Sequence, residues 1–214
     1  MRKSLALAVA CASLLTMLGG TAKATPSRTS PALDAFGSAW TEVSAYSTTT
    51  TTFEQKGVNV QNMVFKYTFR KPSIVTVDIV GGPNNGVSLL WTGGATLSAH
   101  KGSGLVGMLR RTFALHDPEI TTIRGSSIDE VSFAQILKLV RLTPGAVSQA
   151  AGPTIDDEAT DAVTLVPAQP ASIAGYTREV VEISRVTHLP KRVLAYQGAA
   201  LVRKVDFAEV KLTH

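Results

Sequence analysis

From Ser44 to His100 the chain alternates apolar and polar residues with period two, and the breaks between the alternating runs are too short to hold a helix. Ser44 to Gln55 is rich in β-branched residues, with threonine at every position from Thr48 to Thr52. In Met63 to Arg70, Phe65, Tyr67 and Phe69 alternate with Lys66, Thr68 and Arg70. Lys71-Pro72 breaks the run, and Ser73 to Val80 resumes it with Val75, Val77 and Ile79 on one face. Gly81 to Gly86 is a turn by composition, Val87 to Trp91 a strand, Gly93-Gly94 a tight turn, and Ala95 to His100 another strand. Parallel strands need a crossover of a dozen residues or more, so this stretch predicts an antiparallel meander.

Two segments carry the other period. Leu33, Phe36, Trp40 and Val43 recur at steps of three and four, and Ser30 followed by Pro31 supplies an N-cap and a proline at the first helical position. Ile128, Val131, Ile136, Leu139 and Val140 stripe Ser127 to Leu142, where Ser127 and Glu130 form a capping box and Pro144-Gly145 stops the helix. A short helix is expected around Leu105 to Arg111, and Val147 to Asp157 reads as loop. Ala162 to Val166, Tyr176 to Ser184, Arg192 to Tyr196 and Leu201 to Phe207 read as further strands, the last extending toward Leu212. The expected fold class is α+β: a single highly curved antiparallel sheet of about nine to eleven strands, a half-open β-barrel with helices covering the concave face.

The first residues address the chain. Arg2 and Lys3 precede an apolar run from Leu5 to Leu18, and Ala22-Lys23-Ala24 offers the small-x-small pattern cut by signal peptidase. The expected organisation is a signal peptide over 1–24, a disordered leader over 25–30 and one domain over 31–214, located in the periplasm. Leu7 to Cys11 resembles a lipoprotein box only faintly, since cutting there would leave Ala12 to Leu18 exposed on the mature protein. Cys11 is the single cysteine, so the mature chain has no disulfide, thiol nucleophile or cysteine-ligated metal. With Arg2, Lys3 and Lys23 removed, 18 of the 21 basic residues remain against 16 acids, a net charge of +2. That argues against nucleic acid as a partner.

Motifs for chemistry are weak. Gly102 to Gly107 matches a dinucleotide fingerprint in letters, but the antiparallel context lacks the required βαβ unit. The four histidines, 100, 116, 188 and 214, have no metal-ligand spacing. No Gly-x-Ser-x-Gly elbow occurs, and Asp156-Asp157-Glu158 reads as solvated loop. No catalytic residue, cofactor or metal is assigned, and an enzyme is not expected. What stands out is apolar excess: mean hydropathy is +0.15, and whole strand faces are built from large side chains. Such faces either pack as core or enclose an apolar pocket.

Taken together, three segments are similar to the family of periplasmic outer-membrane lipoprotein carriers and sorting proteins, and to its uncharacterised relatives. They are Val64 to Asp78 with its basic-proline break, Leu89 to Leu97, and the closing run through Val180 to Ser184, His188 to Val193 and Leu201 to Phe207. The resemblance implies a half-open barrel with a helical lid over a cavity that takes up acyl chains of a lipid or acylated protein for transport across the periplasm. Membrane-bound donor or acceptor proteins would be its partners, and the carrier a monomer. By strand alternation, Phe65, Tyr67, Phe69, Val75, Val77, Ile79, Leu89 and Trp91 are the candidate lining, with Phe36, Trp40, Ile136 and Leu139 as lid. The alternative is a non-enzymatic sensor or interaction module using the same fold in envelope signalling.

Overall fold

A computed structural model describes residues 30–102, 110–170 and 174–214. Eleven strands form one antiparallel sheet in the order β6-β5-β4-β3-β2-β1-β11-β10-β9-β8-β7, curved into a half-open barrel. The described part of the chain opens with helix α1 (Pro31–Glu42) and then winds outward from the middle of the sheet. The outward half comprises β1 (Ala45–Lys56), β2 (Asn59–Arg70), β3 (Ile74–Gly81), β4 (Val87–Trp91), β5 (Thr96–Lys101) and β6 (Arg111–Ala114). A crossover containing helix α2 (Phe133–Leu142) carries the chain to the opposite edge. From there β7 (Gly145–Ile155), β8 (Glu158–Pro167), β9 (Arg178–Ser184), β10 (Pro190–Gln197) and β11 (Ala200–Thr213) meander back until β11 pairs with β1.

The expected sheet class and the meander are present. The turn after β3 depends on Gly82, whose φ of +87° is left-handed and whose Cβ, if it had one, would collide with the Asn62 carbonyl. Ser30, at 5 % exposure, is buried rather than part of a disordered leader. Its hydroxyl accepts from the Leu33 N–H, and Pro31 occupies the first turn of α1.

Two expectations are corrected at the sheet edges, and a third at α2. Val147 to Asp157 is mostly strand β7, not loop. Gly152-Pro153 hid the alternation, but β7 is an edge, where a proline lacking an N–H is tolerated, and the register shifts there between Ala151 and Thr154. Arg111 begins strand β6, paired to β5, instead of ending a helix, and Arg110 before it is not helical; Leu105 to Leu109 of that expected helix, and most of the Gly102 to Gly107 motif, lie outside the described residues, as does the signal peptide. Helix α2 starts six residues later than Ser127. Its N-cap is Ser132, whose hydroxyl accepts from the Gln135 N–H, while Ser127 bonds Asp129 and Glu130 in a run of turns. Two tyrosines explain the choice. The Tyr67 hydroxyl donates to the Ile128 carbonyl and the Tyr46 hydroxyl accepts from the Phe133 N–H, which anchors this stretch to the sheet before the helix can begin.

One end of the concave face is solid. Tyr46 stacks on Phe133 with centroids 4.2 Å apart and on Phe69 at 5.6 Å, and Phe133 meets Phe36 and Phe207 edge-on. Trp40 closes this cluster against Tyr46, Phe69 and Phe133. Burial drives both Tyr46 and Tyr67 hydroxyls well above the ordinary tyrosine range, so both remain protonated and available to hold the crossover.

Candidate functional site

Beyond the aromatic cluster the concave face opens into a cavity of about 400 Å³ between the sheet and the crossover. Phe65, Val77, Ile79, Leu89 and Ala99 form its wall, each on the inward phase of β2 to β5. Ile120, Ile128 and Val131 cover it from the crossover. Asn84, Lys101, Arg111 and Glu119 are the exposed members of its lining and mark its rim, where Arg111 and Glu119 pair at 3.4 Å. The volume lies within the roughly 300–1,000 Å³ range of small-molecule sites.

The candidate residues therefore separate. Phe65, Val77, Ile79 and Leu89 line this cavity. Tyr67, Phe69 and Val75 are buried outside it as packed core, and Trp91 is half-buried with its indole N–H donating to the Gly94 carbonyl. Phe36 and Trp40 fill the aromatic end. Ile136 and Leu139 border a second cavity of about 200 Å³. Alternation identified which side chains point inward; it could not tell those that meet another side chain from those that meet open space.

The inward row at the far end of the sheet is polar, which alternation of apolar residues did not reveal. Cross-strand register places Gln61, Glu54, Arg203, Ala195, Glu179 and Leu165 side by side from β2 to β8. The adjacent row, Met63, Thr52, Val205, Val193, Val181 and Val163, is apolar apart from its threonine. Gln61 and Glu54 hold the crossover: their side-chain oxygens accept from the N–H groups of Ile123 and Arg124, and the Arg124 guanidinium donates to the Gln55 carbonyl. Arg124 also lies 5.0 Å from the centre of the Tyr176 ring.

Arg203 is 7 % exposed and lines both cavities. Its Nε lies 3.6 Å from Glu54 Oε1 and is buried with no hydrogen-bond partner among the described residues. Burial pulls its pKa down, but the surrounding Tyr176, Glu179, Glu54 and Glu130 outweigh that and hold it above the ordinary arginine value. Glu179, 3 % exposed, has no hydrogen bond or ion pair among the described residues. Burial lifts its pKa from 4.5 to about 7, against the opposing pull of Arg203. Glu130 is likewise raised by burial, with Arg203 opposing and Asp129 adding to the rise. The one sequence signal for this cluster was a charged residue on the inward phase of a strand, Glu54 in the threonine-rich run and Glu179 before Val181.

These features define a class: an open, curved antiparallel sheet whose concave face, under α1 and α2, holds an apolar cavity ending in a buried guanidinium. No protein-family profile matches the chain, and no curated protein does. Among solved structures it is similar to lipoprotein LppX from Mycobacterium tuberculosis, at 13 % identity and a TM-score of 0.47, covering 86 % of this chain and 95 % of that one. LprF from Mycobacterium bovis is similar at 11 % identity and a TM-score of 0.43, covering 87 % and 94 %. A LolA superfamily protein from Nitrosomonas europaea is similar at 11 % identity and a TM-score of 0.41, covering 87 % and 95 %. Among the described residues no helix is long and apolar enough to cross a membrane.

Proposed function

We propose that this chain is an exported, non-enzymatic binder of acyl chains that carries a lipid or acylated protein across the periplasm. The observation that supports this reading is the cavity of about 400 Å³ walled by Phe65, Val77, Ile79, Leu89 and Ala99. At roughly 30 Å³ for a water-sized group, about a dozen methylenes fill it. At about 0.8 kcal/mol for each buried methylene this offers about 10 kcal/mol of gross transfer free energy to set against the ordering of one chain and the loss of its free motion. A single chain fits that volume, so the rest of a larger ligand lies outside it.

The test is native mass spectrometry with organic extraction on protein purified from the periplasm without detergent. A chain beginning at Thr25 with a near-stoichiometric acylated species is the expected result. A bare mass that persists after incubation with phospholipid and an acylated peptide would overturn the reading and favour the sensor or interaction module.

A further inference from the structure

Resting on the acyl-binding reading, we propose that Arg203 is a recognition point for the neutral carbonyl, ester or amide, that joins an acyl chain to its headgroup. A guanidinium carries five N–H donors, and burying one without acceptors is costly. Arg203 is 7 % exposed, has a single ion pair among the described residues, at 3.6 Å to Glu54, and its buried Nε has no hydrogen-bond partner among them. Its position explains the ligand. It lies at the end of the apolar cavity, next to Thr52 and Glu54, and also borders the smaller cavity with Glu130, Tyr176 and Glu179. A chain lying along the apolar wall brings the group at its end to this guanidinium.

Charge decides between acceptors. Three carboxyl groups, from Glu54, Glu130 and Glu179, face Arg203 from β1, the crossover and β9, and the one further guanidinium in the cluster is that of Arg124. A ligand carboxylate would add a fourth acid to a site that already has more acids than bases, with Arg203 committed to Glu54. An uncharged carbonyl accepts from the guanidinium without that repulsion.

The experiment compares lauroyl glycerol with dodecyl glycerol ether, two probes that differ in the carbonyl alone, by titration calorimetry below their micellar concentrations. The wild-type chain should bind the ester about tenfold tighter, the factor expected for a hydrogen bond to a charged group. In Arg203→Met combined with Glu54→Gln, chosen so that Glu54 is not left buried without its ion-pair partner, the two probes should bind alike. Lauroyl ethanolamide bound as tightly as the ester would identify acyl amides as ligands too, and its failure would restrict the site to esters; both outcomes support the carbonyl. Equal binding of ester and ether to the wild type overturns the proposal while leaving the acyl cavity standing, since water then serves Arg203. Laurate bound more tightly than the ester at mildly alkaline pH overturns it in favour of an anion site. Binding of neither ester nor ether overturns the acyl reading itself.

Discussion

Replacing Glu179 with glutamine keeps the shape of the side chain and removes its titration. Burial on the inward face of β9 raises its pKa from 4.5 to about 7, because the charged form loses its water and finds no hydrogen bond in exchange. The charged groups facing it are Arg203 from β11 and Glu130 from the crossover, and Tyr176 borders the same small cavity. Between these two pKa values the unfolded chain has released the proton and the folded chain still holds it. The contribution of Glu179 to stability is therefore complete below about pH 4.5 and is lost as pH rises through about 7. At 1.36 kcal/mol for each pH unit the loss is about 3 kcal/mol, or roughly 10 °C in Tm for a domain of this size. Urea unfolding of wild type and Glu179→Gln across the acid-to-alkaline range measures it. The stability difference between them should shift in favour of the variant by about 3 kcal/mol between about pH 4 and pH 8 and flatten above that. Parallel curves at all pH values would refute the reasoning, showing that the Glu179 carboxylate is solvated or paired with Arg203 in solution.

Phe133→Ala should cost about 3–5 kcal/mol in denaturant unfolding, because it removes the ring stacked on Tyr46 and touching Phe36 and Phe207; a loss below about 1 kcal/mol would mean the aromatic end is loosely packed. Ala99→Leu adds three carbons to the wall of the larger cavity and occupies roughly 90 Å³ at about 30 Å³ each. Lauroyl glycerol should then bind about thirtyfold more weakly, the equivalent of about 2 kcal/mol or three unburied methylenes, with octanoyl glycerol little affected. Equal losses for both chain lengths in calorimetry would place the chain elsewhere.

The amino-acid sequence by itself determined the sheet and its antiparallel meander. Period-two alternation and turns of a few residues are local properties, and they survive wherever a strand has two neighbours, as in β2 to β5. The first helix was legible for the same reason, through Ser30, Pro31 and the stripe from Leu33 to Trp40. Legibility failed where a neighbour imposed the structure. Strand β7 passes through Gly152-Pro153 because β8 pairs with it at an edge, and α2 waits for Ser132 because Tyr67 engages the preceding turns and Tyr46 holds the first helical N–H, that of Phe133. The site followed the same division. That Phe65, Val77, Ile79 and Leu89 point inward could be read from alternation; that they border open space while Tyr67, Phe69 and Val75 are packed depended on where α1 and the crossover come down. The polar row of Glu54, Arg203 and Glu179 is spread over more than a hundred residues of chain and meets only through the register of β1, β11, β10 and β9. No local pattern encodes a cross-strand neighbour, so the tertiary structure alone decided that the apolar cavity ends in a buried charge.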